Sequence, residues 1–154
     1  MRPAALGPVA YQALIGRELG VSDWHEITQV TIDAFANLTI DHQFIHVDPE
    51  RASATALGGT VAHGFLTLSL LSNFAYQFVP PLAGVVMSLN YGFEKLRFLA
   101  PVPAGARVRG RFAVKEVRER RAGEWLLALD ARVEIENSEK PALIAEWLGL
   151  NIVA

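Results

Sequence analysis

Cysteine is absent from all 154 residues of this sequence. Its absence excludes disulfide bonds, thiolate catalysis and cysteine-ligated zinc or iron–sulfur sites. Apolar runs of membrane-spanning length are lacking too, because Pro80 and Pro81 interrupt the best candidate. Residues 1–8 contain no continuous apolar core long enough for a signal peptide. We therefore expect a cytoplasmic protein without a membrane partner.

Charged residues are also scarce in this chain. They make up 19% of it and the formal net charge is −2, which argues against nucleic acid as a partner. Hydrophobic residues reach 51%, and this surplus predicts an oligomer interface, an apolar ligand site, or both. The chain is long enough to bury a substantial core, so we predict a single domain over residues 1–154.

Apolar periodicity divides the chain into a helical first half and a strand-rich second half. Helical spacing predicts helices over 9–19 and 29–38, and Thr28 and Asp48 are typical helix caps. Residues 64–78 predict a longer helix that is apolar almost all round and must be enclosed. Four long runs then have strand character: 85–99, 106–117, 124–135 and 142–153. We predict an α+β fold in which a curved antiparallel sheet wraps round a buried central helix.

A carboxylate and an imidazole, Asp41 and His46, stand five residues apart on a segment that fits neither helical nor strand periodicity. Such a pair can hold one water molecule and move its protons. The structural alternative is that both side chains only satisfy local backbone groups in a polar loop. The neighbouring apolar residues Phe44, Ile45 and Val47 favour a site beside an apolar pocket.

The predicted central helix begins at Gly64, directly after His63. A glycine there lets a substrate oxygen approach the backbone N–H, where developing negative charge would be stabilised. The alternative is that Gly64 only permits tight packing. Ser69 and Ser72 lie within the same helix, where serine usually bonds back to a carbonyl one turn earlier. Either serine could instead face the pocket.

A metal site is an alternative use of the histidines. His42 and His46 are four residues apart, with Asp41 and Asp48 nearby and His63 later in the chain. No HExxH motif is present, and no helix is predicted that would place the two imidazoles on one face. A serine hydrolase is disfavoured because no Gly-x-Ser-x-Gly turn occurs. We predict a site that uses neither a metal nor a cofactor.

Basic residues are concentrated in the strand predicted at 106–117. Four cations alternate there and therefore share one face: Arg107, Arg109, Arg111 and Lys115. These cations are explained by a solvated outer face of the sheet. The alternative is a binding site for the phosphates of a nucleotide-bearing ligand, that is, a phosphate landing site. Lys95 and Arg97 are further candidates for such a site, and we include Arg97 among the predicted substrate-binding residues.

Together these motifs resemble the MaoC-like dehydratases, a family that includes the (R)-specific enoyl-CoA hydratases. The resemblance rests on Asp41 and His46 with Asp48-Pro49 behind them, and on the later His63-Gly64. It continues through Asn90-Tyr91-Gly92, Leu96-Arg97-Phe98 and Lys140-Pro141-Ala142. It covers nearly the whole chain and is strongest to the single-domain subgroup with nodulation-protein-N-like members.

The resemblance implies a hot-dog fold, a homodimer with joined sheets, and acyl-CoA or acyl carrier protein thioesters as substrates. The implied reaction is hydration of trans-2-enoyl-CoA to (R)-3-hydroxyacyl-CoA, with dehydration as the reverse. Asp41 and His46 would activate the water, the Gly64 N–H would stabilise the thioester oxygen, and Ser72 would support the site. The alternatives on this fold are an acyl-CoA thioesterase and a non-catalytic acyl-binding module.

Two positions depart from the family pattern. Many members have Asn-Pro between the catalytic pair, where this chain has Gln43-Phe44. A glycine commonly precedes the catalytic aspartate, where this chain has Ile40. Because a β-branched residue disfavours a positive φ angle, we expect the turn before Asp41 to differ from that of the family.

Overall fold

Helices dominate the first half of the chain and long strands the second half in the computed structural model, which describes residues 3–154. The elements are α1 (Pro8–Gln12), β1 (Glu18–Val21), β2 (His25–Glu26), α2 (Gln29–Thr39), α3 (Phe44–Val47), α4 (Pro49–Ser53), α5 (Gly64–Ser69), α6 (Leu71–Phe78), β3 (Val85–Phe98), β4 (Arg107–Arg121), β5 (Glu124–Ile135) and β6 (Leu143–Val153). The bounds of the four long strands lie close to those predicted from the sequence.

The strands form one six-stranded antiparallel sheet. Its order is β1-β4-β5-β6-β3, and β2 pairs with β4 beyond the end of β1. Strands β4, β5 and β6 form a meander, in which Arg111 lies opposite Arg132 and Asp130 opposite Glu146. Register shifts in β3 and β4 mark bulges, which increase the local twist of long strands. The predicted α+β arrangement is confirmed.

Helix α6 packs against the inner face of the sheet through Phe74, which has no exposed surface. Opposite it on β4 is Gly110, where an added Cβ would lie 2.7 Å from the Phe74 Cβ. Glycine is therefore needed at this position for the helix and the sheet to approach so closely. Phe78 continues the contact, with its ring centroid 5.7 Å from that of Phe112.

The predicted central helix is interrupted at Leu70, between α5 and α6. The Ser69 hydroxyl donates to the Leu66 carbonyl, which would otherwise accept from the Leu70 N–H. The Leu70 N–H bonds instead to the Thr67 carbonyl, three residues back. Back-bonding by serine thus tightens one turn without ending the helical path.

Two sequence predictions for the first half are wrong. The helix predicted over 9–19 stops at Gln12, because Gly16 has a φ of 79° and the chain then enters β1, where it pairs with β4. The segment of Asp41 and His46, which fits neither periodicity and is therefore expected to be irregular, contains α3. Both predicted caps are confirmed: Thr28 accepts from the Thr31 N–H and Asp48 from the Arg51 N–H.

Strand β3 is an edge of the sheet, and among residues 3–154 no strand pairs with its other side. Large apolar side chains are exposed along it, including Val86, Leu89 and Tyr91, which are 66%, 45% and 51% exposed. Phe65 on α5 and Tyr76 on α6 are also exposed, so a single chain does not fully enclose the central helix. Within residues 3–154, no helix has the length and apolar character needed to cross a membrane.

Candidate active site

Asp41 is positioned by the end of α2. The helix stops at Thr39, and Ile40 adopts the left-handed conformation, with φ 62° and ψ 23°. The expected departure from a positive φ is therefore wrong: Ile40 takes up the conformation that favours glycine. The turn delivers the Asp41 carboxylate to the surface, where the side chain is 56% exposed.

His46 lies on α3 and is buried, with 7% of its surface exposed. Its Nδ1 is 2.7 Å from the Val61 carbonyl oxygen, and because a carbonyl only accepts, Nδ1 carries the hydrogen. The neutral ring therefore has its lone pair on Nε2. The Val61 N–H in turn donates to the Ile45 carbonyl, so α3 is held to residue 61 by two hydrogen bonds.

Gln29 at the start of α2 ties the same region together. Its side-chain Nε2 donates to the His46 carbonyl at 2.7 Å and to Asp33 Oδ1 at 2.8 Å. Its Oε1 accepts from the Thr60 hydroxyl at 2.5 Å. One amide thus joins α2, α3 and the loop before α5. These bonds fix the position of His46 on α3 relative to Asp41, which follows α2.

His63 completes a cluster with Asp41 and His46, which we call the catalytic corner after the role predicted for that pair from the sequence. The His63 ring stacks on the His46 ring, with centroids 3.7 Å apart and planes 23° apart. Its Nε2 donates to the Asp41 backbone carbonyl at 3.0 Å and lies 4.0 Å from the Asp41 carboxylate. Its Nδ1 is buried and has no hydrogen-bond partner among the described residues. His63 thus contacts both members of the predicted pair.

The corner holds one ligand-type atom from each of Asp41, His46 and His63 within 4.8 Å of one another, which also makes it the candidate metal centre. The hydrogen bonds favour a different use. His63 Nε2 already donates to the Asp41 carbonyl, and only its buried Nδ1 has a free lone pair. Metal ligation through His63 would therefore require the ring to turn and lose that bond.

Gly64 is the first residue of α5, so its N–H has no acceptor within the helix. A Cβ added there would lie 3.0 Å from the Phe98 ring, which shows that the residue also permits tight packing. Gly64, Phe98 and Thr67 are among the residues that line a cavity of about 230 Å³. Both uses proposed for Gly64 from the sequence are therefore compatible with its surroundings.

The other two predicted substrate-binding residues lie in different places. Ser72 on α6 is half-buried and lines a separate cavity between the helix and the sheet. Arg97 is exposed on β3, and its guanidinium donates to the Leu96 carbonyl at 2.8 Å. Its neighbour Phe98 reaches Gly64, and neighbouring side chains on a strand point to opposite faces. A single chain therefore does not bring Arg97 to the catalytic corner.

The alternating cations of β4, which we call the basic stripe, are paired with carboxylates. Every cation of the stripe lies within 3.0 Å of a carboxylate oxygen. The ion pairs are Arg107–Glu136, Arg109–Glu134, Arg111–Glu134, Arg111–Glu18 and Lys115–Glu146. This pairing favours the solvated outer face over a phosphate landing site.

The profile of the MaoC like domain family matches residues 10–131. The chain belongs to the MaoC-like dehydratase family. This membership confirms the predicted class of enzyme, a hydro-lyase. The matched residues include the whole catalytic corner and Gly64.

Relatives of this MaoC-like dehydratase extend over most of its length. It is 50% identical over 139 residues to nodulation protein N of Rhizobium meliloti, covering 90% of this chain and 86% of that relative. It is 46% identical over 134 residues to 3-hydroxyacyl-thioester dehydratase Z of Mycobacterium tuberculosis, covering 87% and 88%. An (R)-hydratase from A. caviae involved in PHA biosynthesis superposes with a TM-score of 0.70 at 25% identity, covering 86% and 95%. The hot-dog fold is thereby confirmed.

Asp41 and His46 are predicted from the sequence of this MaoC-like dehydratase as its catalytic pair, and the structure adds two side chains that contact them, His63 and Gln29. The sequence marks His63 as the residue before the central helix and as a possible metal ligand, and it gives Gln29 no role. No spacing rule signals either role, because the contacts join residues 17 to 31 positions apart that the fold alone brings together.

Proposed function

We propose that this protein adds water reversibly across the 2,3 double bond of a trans-2-enoyl thioester, giving the (R)-3-hydroxyacyl thioester. The observation that carries the proposal is the catalytic corner. A carboxylate and an imidazole with a free Nε2 lie together, and the first N–H of α5 follows His63 directly. The names of the relatives, an acyl-thioester dehydratase and an (R)-hydratase, support the same reaction.

The proposed chemistry needs one water and three groups. Asp41 and His46 hold the water, its hydroxyl adds to C3 of the substrate, and the pair delivers the released proton to C2. Negative charge then develops on the thioester oxygen, and the Gly64 N–H donates to that oxygen. Neither a metal nor a redox group enters these steps, because the thioester itself acidifies the hydrogen at C2.

The decisive experiment replaces Asp41 with asparagine, which removes the proton acceptor and preserves the shape. We expect the hydration of crotonyl-CoA by Asp41→Asn to fall at least about a hundredfold, with an unchanged circular dichroism spectrum. Asp23→Asn is the matched control, since Asp23 is also exposed and belongs to no part of the corner. A folded Asp41→Asn protein with wild-type turnover would refute the assignment.

The same assay separates hydration from thioester hydrolysis. Hydration removes the enoyl absorbance without releasing a free thiol, whereas a thioesterase releases the thiol. Chiral analysis of the product tests the (R) configuration, and activity that survives a chelator is the result expected of a metal-free site. Parallel assays on coenzyme A and acyl carrier protein thioesters identify the carrier, and a panel of chain lengths identifies the preferred acyl group.

The feature of the sequence that favours a non-catalytic acyl-binding module is Ile40, which stands where the family commonly has glycine. Because Ile40 takes up the left-handed conformation that favours glycine, its presence does not displace Asp41 from the end of α2. The carboxylate still lies 4.0 Å from the His63 ring nitrogen. This feature therefore no longer favours a protein without turnover.

We also propose that two copies associate through the free edge of β3. An unpaired strand with exposed apolar side chains is a ready site for pairing with another chain, and natural proteins cover such edges. Sedimentation should give about twice the 16.8 kDa of one chain. A monomer at micromolar concentration would refute this part alone. A cytoplasmic location stays a prediction from the sequence.

A further inference from the structure

A second cavity, of about 150 Å³, lies between α6 and the inner face of the sheet, away from the catalytic corner. Its apolar side is formed by Ala75, Val79 and Leu82 among others. The opposite side is polar, because Ser88 and Asn90 on β3 and Asn151 on β6 line it. Ser72 on α6 adds a hydroxyl. Polar side chains on the inner face of a sheet are unusual, since this face normally builds the apolar core.

Two internal hydrogen bonds fix this polar wall. The Ser88 hydroxyl bonds to Asn151 Oδ1 at 2.7 Å, and Asn151 is only 7% exposed. The Trp147 indole N–H donates to Asn90 Oδ1 at 3.2 Å. Because an indole nitrogen can only donate, Asn90 must give its oxygen to Trp147 and retains its amide NH₂. These two bonds hold the polar wall in place, and its amide NH₂ groups can still donate to a further group.

The helix supplies a matching group at Ser72. The Ser69 hydroxyl donates to the Leu66 carbonyl, as serines in helices commonly do. Among the described residues Ser72 makes no such bond, although it lies on the same helical path and lines the cavity. An unbranched hydrocarbon entering this cavity would leave Ser72 and the asparagine amides without water or a partner, which costs free energy. An oxygen-bearing chain would satisfy them.

The cavity is placed for the far end of an acyl chain. Gly64 opens α5, and Ser72 comes eight residues later along the same helical path, roughly 12 Å at the rise of an α-helix. A chain whose thioester oxygen lies at the Gly64 N–H and which follows the helix therefore reaches Ser72 with its distal carbons. Its reacting carbons stay at the catalytic corner.

We infer that this cavity selects acyl chains that carry an oxygen, as a hydroxyl, keto or ether group, in their distal part. The inference rests on the proposed function for the placement of the thioester. Asn90, Asn151 and Ser72 then determine specificity, and the distal oxygen accepts from the amide NH₂ groups. A protein with this wall rejects the plain chain, because a buried polar group left unpaired is penalised more than a missing apolar contact.

The test compares two ligands that cannot react, 10-hydroxydecanoyl-CoA and decanoyl-CoA, by isothermal titration calorimetry. We expect the wild-type protein to bind the hydroxylated ligand about tenfold more tightly. In Asn151→Leu that preference should vanish or invert. Asn90→Leu supplies the same test at an exposed position, where misfolding is not a concern. Asn73→Leu, an equivalent exchange at an exposed position of α6 outside the cavity, should retain the preference.

Equal binding of the two ligands by the wild-type protein, or a preference that survives in both Asn151→Leu and Asn90→Leu, overturns the inference. Kinetic measurements then distinguish a failure of this inference from a failure of the proposed function. Turnover of crotonyl-CoA, which is too short to reach Ser72, tests the proposed function alone. Among substrates, the kcat/KM for 10-hydroxy-trans-2-decenoyl-CoA over that for trans-2-decenoyl-CoA should show the same tenfold ratio as binding.

Discussion

The basic stripe on β4 and the catalytic corner are both clusters of titratable side chains, but they satisfy those groups differently. In the stripe, every cation lies within 3.0 Å of a carboxylate oxygen. In the corner, the nearest basic group to the Asp41 carboxylate in the part of the chain that the structure describes is His63 Nε2, at 4.0 Å. The two imidazoles bond instead to the backbone carbonyls of Val61 and Asp41.

The difference separates structural charges from reactive ones. A charge that is already neutralised by a neighbour has little left to offer a substrate, although it helps to order the surface. A group that is fixed by backbone hydrogen bonds keeps its remaining lone pair available for proton transfer. His46 is in that second position, since Nδ1 is bound and Nε2 is free. The position of a fixed side chain with a free lone pair therefore identifies the site better than a high density of charged residues.

The largest effect is expected for His46. In His46→Gln the side chain can still donate to the Val61 carbonyl, but it has no titratable lone pair. We expect kcat/KM for crotonyl-CoA to fall about a hundred- to ten-thousand-fold while the urea midpoint changes little. His25→Gln is the matched control, because His25 is on β2 and outside the corner. Comparable losses in both variants would show that the corner has no special role.

The next effect concerns His63, which we regard as a positioning residue. His63→Phe retains a ring to stack on His46 but removes the N–H that bonds to the Asp41 carbonyl. We expect kcat to fall roughly ten- to a hundredfold with KM little changed, since a small displacement of Asp41 disturbs the attack geometry. The pH profile of kcat should shift as well, which a purely structural residue would not cause.

Two further variants decide how His63 acts. His63→Asn retains an N–H donor and should be less impaired than His63→Phe. His42→Phe, at an exposed histidine that bonds to Asn37, should have wild-type activity. If His63→Phe were fully active with an unchanged pH profile, the hydrogen bond to the Asp41 carbonyl would have no role in turnover, and His63 would contribute packing only.

The stripe should behave in the opposite way when Glu134 is neutralised. Glu134 accepts from Arg109 at 2.7 Å and from Arg111 at 2.8 Å. We expect Glu134→Gln to lose about 1–2 kcal/mol of unfolding free energy in urea denaturation, because these partly buried ion pairs share one carboxylate. Activity on crotonyl-CoA should be unchanged. Glu116→Gln, at the more exposed pair with Arg118, should cost less than about 0.5 kcal/mol.

The stability contributed by Glu134 should depend on pH. Partial burial acts to raise the pKa of this carboxyl, but the hydrogen bonds from Arg111 and Arg109 outweigh it and place the pKa below its ordinary value. A lowered pKa in the folded state means that the contribution is complete above about pH 5 and is lost as the pH falls through the folded value. The difference between the wild type and Glu134→Gln should therefore shrink on acidification. A constant difference would contradict the ion-pair explanation.

The sequence was most informative where local chemistry decides the structure. The caps at Thr28 and Asp48 and the bounds of β5 depend on neighbouring residues, and these predictions are confirmed. The helix predicted over 9–19 failed because pairing of β1 with β4, a long-range contact, outweighed helical spacing. The stacking of His63 on His46 is likewise long-range. Residue types alone indicated both histidines, and only the fold shows their contact.

The smallest effect concerns the turn that holds Asp41. Ile40 is 82% exposed and has a φ of 62°, so its side chain adds little burial and strains the backbone. The left-handed conformation costs a residue with a Cβ about 1–2 kcal/mol, and glycine avoids this cost. Glycine in turn destabilises the folded state by about 0.5–1 kcal/mol, because its unfolded chain has more conformational entropy to lose. Ile40→Gly should therefore raise the unfolding free energy by up to about 1 kcal/mol.

Ile40→Ala is the control for this turn, because it removes most of the side chain but keeps the Cβ and therefore most of the strain. It should stabilise the protein less than Ile40→Gly in the same urea denaturation series. If glycine were instead less stable than alanine, the left-handed turn would not be strained. If glycine gained stability but lost turnover, the exposed isoleucine would itself contact the substrate or a second chain. The backbone strain beside Asp41 would then contribute to turnover at the catalytic corner. The basic stripe, whose charges are paired with one another, has no such link to turnover.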